Sequence, residues 1–261
     1  MSARATRTAM AVVMALTVAG CGAGDDRASG GAADGRGTGA VMVFAAASLT
    51  ESFRRIGKDF EAANPGSTVT LNVAGSSALA NQINQGAPAD VFASAAPANM
   101  ATVTEAGNAD GTPTTFARNQ LVIAVPRGNP GGVTGLADLS RPGVKVALCA
   151  TQVPCGAAAR TALDTAGVAL TPVTLEQDVK GALAKVKLGE VDAALVYRTD
   201  ARAASADVTG VEFPESARAV NDYPIVALKD APNPAGAKAF VAYVRSAPAQ
   251  AVLAEAGFQA P

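Results

Sequence analysis

The sequence predicts an α/β protein with a mostly parallel sheet. From Ala40 onward, short apolar runs typical of strands alternate with segments whose apolar residues recur at helical spacing. Such alternation favours parallel strands whose faces are covered by helices. Apolar residues make up 49% of the 261 residues, which is enough to bury a substantial core, and the length allows one large domain or two lobes.

The first part of this region predicts three strand–helix pairs. In the first helix, apolar residues recur every three or four positions, and Asn64-Pro65-Gly66 end the pattern. The strand before it finishes in small residues and leaves Ser48 where the helix begins. The predicted strands are 41–47, 68–75 and 89–96, and the helices are 48–66, 76–86 and 97–107.

The remaining chain continues the alternation and closes with a helical tail. A Gly/Pro-rich loop follows its first strand, and Pro248 breaks the tail. The predicted strands are 120–128, 144–150, 170–177, 191–203 (running into a turn), 210–215 and 223–229. The predicted helical segments are 135–140, 154–167, 178–190 and 233–258.

The composition excludes several classes of function. The chain has no histidine, so a Ser-His-Asp triad, a His-assisted thiol and a His-ligated zinc site are impossible. Serine and lysine do not occur at S-x-x-K spacing, and no enzymatic activity is expected. Charged residues make up only 16% of the chain, with a net charge of -1 and no basic run, so no nucleic-acid partner is expected.

The N-terminus resembles a bacterial lipoprotein signal peptide, residues 1–21. A positive segment precedes an apolar run that is too short to span a membrane as a mature helix. The run ends in Val18-Ala19-Gly20-Cys21, which resembles a lipobox and predicts a lipid on Cys21. The alternative is a plain secretory signal. Residues 22–40 contain almost no large apolar side chain and predict a flexible tether.

Two cysteines remain, Cys149 and Cys155. An even pair in an exported protein favours a disulfide, which would fix the shape of the short loop between them. Two free thiols are the alternative, and a zinc site is disfavoured because only two thiolates are available.

Several junctions after predicted strands carry hydroxyls, small residues and backbone N–H groups that have no intrahelical acceptor. In an open parallel sheet, ligands bind beyond the carboxyl ends of the strands, where helix N-termini favour negative charge. Helices that converge on one point could hold an oxyanion without a cationic side chain. The residues at these junctions are Ser48, Gly75, Ser76, Ser77, Pro154, Cys155, Gly156, Asp178, Val179 and Tyr197.

Each of these residues also has a purely structural alternative. Ser48 with Glu51 fits the S-x-x-E capping box, and Ser76 or Ser77 could cap the next helix. Asp178 could be a plain N-cap, and Tyr197 could be a core tyrosine with a satisfied hydroxyl. The sequence alone leaves these alternatives open.

Five motifs together resemble the molybdate-binding protein of bacterial molybdate ABC importers. The resemblance covers Val41 to Phe258, and it rests on FAAASLTESF, AGSSALANQINQGAPADVFASA, VPCGAAARTAL, QDVKGALAKVKLGEVDAALVY and YPIVAL. It implies the two-lobed class II periplasmic-binding-protein fold, with the anion held in a cleft between the lobes. It places residues 41–121 and 224–261 in the first lobe and residues 122–223 in the second.

The same resemblance implies an oxyanion site. Ser48, Ser76 and Tyr197 would contribute hydroxyls, with Ser77 as the alternative to Ser76. Cys155 and Val179 would contribute backbone N–H groups. Alanine is common in the family at the position of Cys155, and a backbone donor tolerates this difference.

The expected function is the capture of molybdate, and also tungstate, by an extracytoplasmic lipoprotein. The partners would be an ABC permease and the cell membrane, reached through the lipid on Cys21, and the protein would be a monomer. No cofactor and no metal cation are expected, because molybdate is bound as an oxyanion. A sulfate- or thiosulfate-type binding protein is the alternative.

Overall fold

A computed structural model describes residues 38–261, which form ten strands and eight α-helices. The predicted signal peptide, Cys21 and the tether up to residue 37 lie outside the described residues. The strands are β1 (Ala40–Ala46), β2 (Thr68–Ala74), β3 (Val91–Ala93), β4 (Ala109–Asn119), β5 (Leu121–Pro126), β6 (Val146–Cys149), β7 (Thr174–Glu176), β8 (Ala193–Tyr197), β9 (Val208–Val211) and β10 (Asn221–Leu228). The helices are α1 (Thr50–Ala63), α2 (Ser76–Asn84), α3 (Pro97–Glu105), α4 (Pro154–Ala166), α5 (Val179–Lys187), α6 (Arg198–Ala203), α7 (Pro234–Val244) and α8 (Ala247–Ala256).

The strands form two five-stranded sheets of matching topology. The first has the order β2-β1-β3-β10-β4, and the second has the order β7-β6-β8-β5-β9. In each sheet one strand, β10 or β5, runs antiparallel to both neighbours, so the other four point in one direction. The expectation of an α/β fold with mostly parallel strands is confirmed. The parts built on the two sheets are called the first and second lobes below.

The apolar periodicity of the first predicted helix corresponds to a buried face. Phe53, Ile56 and Phe60 of α1 are fully buried, and the Phe53 and Phe60 rings pack edge-on against Phe240 of α7. Helices α2 and α3 cover the opposite face of the first sheet, where Phe44 and other apolar residues form a separate cluster. Burying such a side chain stabilises the fold by about 1.5–3 kcal/mol.

Two elements differ from the sequence-based expectation. No strand is predicted at 109–119, yet β4 is the longest strand and pairs with β10 at the edge of the first sheet. Its segment is polar and contains Gly111 and Pro113, which an edge strand tolerates because one side faces solvent. The residues after Tyr197, expected in a turn, form the short helix α6.

The chain enters the first lobe at a fixed point beside β1. The Asn233 side-chain amide donates to the carbonyls of Thr38 and Ala40, the latter at 2.7 Å. The Thr38 N–H donates to the Ser67 hydroxyl at 2.9 Å, and the Asp90 carboxylate accepts from the Asn233 N–H at 2.6 Å. These contacts hold the start of β1 to the segment before α7.

The chain crosses between the lobes twice. It leaves the first sheet after Asn119 and returns to it at Asn221. At the first crossing, the buried Asn119 amide donates to Thr199 of the second lobe at 2.8 Å. Within residues 38–261, no helix combines the length and apolar character needed to cross a membrane.

Candidate oxyanion site

The candidate site lies where the carboxyl ends of three parallel strands in the first lobe face those of three parallel strands in the second. Strands β1, β2 and β3 of the first lobe end at this point, as do β6, β7 and β8 of the second. This is the location that an open parallel sheet offers to a ligand. The two lobes contact each other around it, since the Tyr197 and Tyr223 rings lie 5.9 Å apart across the junction.

All five residues of the predicted site line one small cavity. Its volume is about 10 Å³, far below the range of 300–1,000 Å³ typical of drug-sized ligands, so the cavity excludes a ligand of that size. A larger groove of about 290 Å³ runs beside it, but exposed side chains of both charges line that groove. The cavity is lined by Ala46, Ala47, Ser48, Gly75, Ser76, Ala95, Val153, Pro154, Cys155, Asp178, Val179 and Tyr197.

Ser48 is not a helix cap. It lies in a 3-10 turn, Ala47–Leu49, and α1 begins after it without any side-chain cap, so the S-x-x-E alternative is wrong. The side chain is 5% exposed, and its Oγ lies 2.9 Å from the Oη of Tyr223. The turn therefore presents the hydroxyl to the cavity from the end of β1.

Ser76 is not a cap either. Gly75 occupies the N-cap position of α2, and no side chain caps this helix. The Ser76 Oγ accepts a hydrogen bond of 3.0 Å from the Ala95 N–H, which leaves its own proton free for the cavity. Ser77 is half-buried and does not line the cavity, so the structure places Ser76 rather than its neighbour there.

Cys155 and Val179 lie in the first turns of α4 and α5. Backbone N–H groups of a first turn have no intrahelical acceptor, and the helix dipole adds partial positive charge at this end. Asp178 is the N-cap of α5, because its Oδ1 accepts from the Gly181 N–H at 2.9 Å. This confirms the structural role considered for Asp178 in the sequence analysis. Two helices of the second lobe thus direct their N-termini at one cavity.

Tyr197 has a buried hydroxyl without a partner. The side chain is 1% exposed, and its Oη forms no hydrogen bond with any residue in 38–261. Burial raises the pKa of Tyr197 well above its ordinary value, and nearby Tyr223 and Asp200 raise it further, so the hydroxyl keeps its proton. An unsatisfied buried donor is costly, and an anion in the cavity would satisfy it.

Cationic side chains stay at the rim of the site, and Asp178 is the one charged residue in the described part of the chain that lines the cavity. No lysine or arginine lines the cavity among residues 38–261. Next to Val179, the Lys180 Nζ contacts Glu51 of the first lobe at 2.8 Å and Asp200 of the second at 2.9 Å. Burial raises the pKa of the Asp200 carboxyl to about 6, although Lys180 lowers it. The salt bridges link the lobes without placing a cation against a ligand.

Cys149 and Cys155 form a disulfide, as predicted. Their Cα atoms are 5.7 Å apart, and both residues are buried. The bond joins the end of β6 to the first turn of α4, whose backbone faces the cavity. Gly156 packs so closely beneath this loop that an added Cβ would lie 1.9 Å from the Ala150 carbonyl oxygen.

Sequence reasoning missed two contributors to the site. Ala95 orients Ser76 through its N–H, and Tyr223 orients Ser48 through its hydroxyl. Ala95 acts through its backbone, and Tyr223 contacts a serine 175 positions away in the sequence. No local sequence pattern marks either residue. Tyr223 lies within the YPIVAL motif, which supports the family resemblance but does not mark this residue as part of the site.

Comparison with known proteins agrees with this architecture. The family model of the bacterial extracellular solute-binding protein matches residues 41–259. Molybdate-binding protein ModA of Mycobacterium tuberculosis (strain ATCC 25618 / H37Rv) is 46% identical over 253 residues, which covers 96% of this chain and 97% of that protein. Molybdate-binding protein ModA of Escherichia coli (strain K12) is 34% identical over 230 residues, covering 84% and 89%.

A solved structure gives the same fold. The periplasmic molybdate-binding protein of Azotobacter vinelandii superimposes with a TM-score of 0.74 at 22% identity, covering 85% of this chain and 99% of that one. The two-lobed fold and the resemblance inferred from the motifs are confirmed. The chain belongs to the family of bacterial extracellular solute-binding proteins.

Proposed function

We propose that this protein captures molybdate outside the cytoplasm and delivers it to the permease of an ABC importer. The observation that carries the proposal is the convergence of Ser48, Ser76, Cys155, Val179 and Tyr197 on one small cavity. The 46% identity to a molybdate-binding protein supports it. The family consists of solute-binding proteins, which are transport components and not enzymes.

Neutral donors suffice to hold the anion. The proposed ligands are three hydroxyl protons and two first-turn N–H groups, and hydrogen bonds to a charged group contribute about 1.5–3 kcal/mol each. Ser48 and Ser76 come from the first lobe, and the other three residues from the second. An anion bound by both sides favours the closed arrangement of the lobes over an open one.

Several finer assignments belong to the same proposal. The proposed lobes are residues 41–121 with 224–261 and residues 122–223, bounds that lie within three residues of the sheet changes after Asn119 and at Asn221. Tungstate binds alongside molybdate. A lipid on Cys21 holds the protein, as a monomer, at the outer face of the cell membrane. The lipobox-like motif before Cys21 supports the anchor.

Thermal unfolding with separately added oxyanions tests the proposal. A ligand present at about 100 times its Kd stabilises the folded state by about 2.7 kcal/mol, which corresponds to a rise in Tm of about 5–10 °C at this chain length. We expect this rise with molybdate and tungstate. Sulfate and phosphate, measured on the same protein expressed from residue 22, serve as controls.

The outcomes separate the alternatives. A rise with sulfate in place of molybdate would assign the protein to the sulfate-type class. No rise with any oxyanion, from a cooperatively folded protein, would contradict oxyanion capture altogether.

Removal of the disulfide is expected to weaken binding as well as stability. Replacing Cys149 and Cys155 together by alanine opens a short loop, and the entropic model predicts a loss of about 2 kcal/mol in the free energy of unfolding. The Cys155 N–H also loses the cross-link that fixes its position, so molybdate affinity should fall. Isothermal titration far below the Tm measures this. A lower stability with unchanged affinity would contradict a positioning role for the disulfide.

A further inference from the structure

We propose that Lys180 is a positioning residue that holds the closed cleft together and thereby sets the rate at which a bound anion leaves. The inference rests on the proposed function and deepens it. Its starting point is the Lys180 Nζ, which lies 2.8 Å from the Glu51 Oε2 of the first lobe and 2.9 Å from the Asp200 Oδ1 of the second. One cation therefore bridges the two lobes beside the candidate site.

Each of these three charged residues lies within three positions of a proposed ligand residue. The pairs, in chain order, are Ser48 with Glu51, Val179 with Lys180, and Tyr197 with Asp200. The charged residues belong to three different helices, since Glu51 is in α1, Lys180 in α5 and Asp200 in α6. A change in the distances between these charges therefore moves the ligand groups relative to each other.

The two contacts of Lys180 respond differently to opening of the cleft. Lys180 and Asp200 both belong to the second lobe, and their helices contact each other, so this salt bridge persists when the lobes separate. Glu51 belongs to the first lobe, so its contact with Lys180 breaks on opening. An interaction that exists in only one arrangement shifts the equilibrium toward that arrangement. The Lys180–Glu51 contact therefore favours the closed cleft, from which the anion cannot leave.

Asp200 gives this contact more weight than an ordinary surface salt bridge has. A surface lysine gains little from a carboxylate, because ordering its flexible side chain offsets the attraction. The Asp200 side chain is 0% exposed, and neither of its oxygens has a well-placed hydrogen-bond donor within residues 38–261, so it needs Lys180 as a counter-charge. Asp200 thus keeps the ammonium group in place in both arrangements, and closure does not have to order it again.

The surroundings offer Lys180 no competing partner within residues 38–261. The other two charged residues that line the same groove, Lys187 and Asp207, pair with each other at 2.9 Å within the second lobe. Burial raises the pKa of Asp200 to about 6, although Lys180 lowers it. At a mildly alkaline pH, Asp200 therefore retains the negative charge that holds Lys180.

The test compares Glu51→Gln with Glu190→Gln at such a pH. Each variant removes one negative charge and the partner of one lysine of α5, but the Lys185–Glu190 salt bridge, at 2.6 Å, lies within the second lobe. Release of radiolabelled molybdate into an excess of unlabelled molybdate gives the dissociation rate, and titration calorimetry gives the Kd. We expect Glu51→Gln to raise both about 3- to 5-fold, with an unchanged association rate. Glu190→Gln should leave all three unchanged.

The sign of the effect separates the contact from long-range electrostatics. Removal of a negative charge near an anion site would by itself tighten binding, whereas loss of the contact between the lobes weakens it. Salt gives a second readout, because an ionic strength of about 0.5 M screens exposed charges far more than one of about 0.05 M. High salt should accelerate release from the unmutated protein and from Glu190→Gln more than from Glu51→Gln.

A double variant separates this role from a structural one. Lys180→Met alone would leave the Asp200 charge buried without a partner and lower the stability of the fold. Lys180→Met combined with Asp200→Asn removes both charges and leaves the net charge of the chain unchanged. We expect this double variant to unfold cooperatively and to release molybdate about 3- to 5-fold faster than the unmutated protein, with no further acceleration when Glu51→Gln is added.

The remaining outcomes distinguish this proposal from the proposed function. Unchanged release in either Glu51→Gln or the double variant, or a further acceleration when the changes are combined, would overturn the role of Lys180. Should the unmutated protein bind sulfate and not molybdate, the proposed function fails, and release of radiolabelled sulfate tests Lys180 in the same way. Binding of no oxyanion overturns both.

Discussion

Replacing Gly75 by alanine is expected to lower molybdate affinity by about 10- to 100-fold and to leave the fold intact. A Cβ at this position would lie 2.4 Å from the Gln177 carbonyl oxygen, which belongs to the other lobe. Since the clash is with backbone, it can be relieved only if the lobes separate. Gly75 itself has φ -59° and ψ 138°, which alanine adopts without strain.

The measurement pairs titration calorimetry with thermal unfolding of the unliganded protein. Gly135→Ala is the matched control, because its φ of -172° is ordinary extended backbone and its Cβ would meet open space. We expect the control to match the unmutated protein in both measurements. Undiminished affinity in Gly75→Ala would show that the lobes close without the Gly75–Gln177 contact.

Replacing Tyr197 by phenylalanine should change stability and affinity in opposite directions. The buried Oη has no partner among residues 38–261, so its removal relieves an unsatisfied donor and should raise the free energy of unfolding by about 1 kcal/mol. The same change removes a hydrogen bond to the bound anion, which should lower molybdate affinity by about 10- to 100-fold.

Chemical denaturation without ligand and calorimetry with molybdate measure the two effects. Tyr243 is half-buried and packs on Phe60, so Tyr243→Phe controls for the loss of a hydroxyl outside the site. A loss of stability in Tyr197→Phe would mean that the hydroxyl has a structural partner. Unchanged affinity would remove Tyr197 from the proposed ligands.

The sequence was sufficient to predict the strand ends that form the site. Alternation of strands and helices locates each carboxyl end within a few residues, and parallel order brings these ends together. Ser48, Cys155 and Tyr197 follow from that geometry combined with the family motifs. Strand β4 was not predicted, because its edge position removes the apolar alternation that marks a buried strand.

Contacts between distant residues could not be predicted in this way. Ser48 and Tyr223 are 175 positions apart, and only the folded chain shows that a tyrosine and not the α1 backbone partners the serine. The S-x-x-E pattern at Ser48 does not distinguish a serine that caps a helix from a serine that binds an anion. Similarly, the close approach of Gly75 to Gln177 depends on how the lobes meet, which no local pattern records.

The fixed entry of the chain at Thr38 determines where the molecule would bear a mechanical load. Strand β1 has seven residues and is about 23 Å long, so the Asn233 contacts at its start and Ser48 beyond its end lie on opposite sides of the first lobe. A pull on the preceding chain would act on Asn233 and the far edge of β1. That load would enter the first lobe at the end of β1 opposite Ser48.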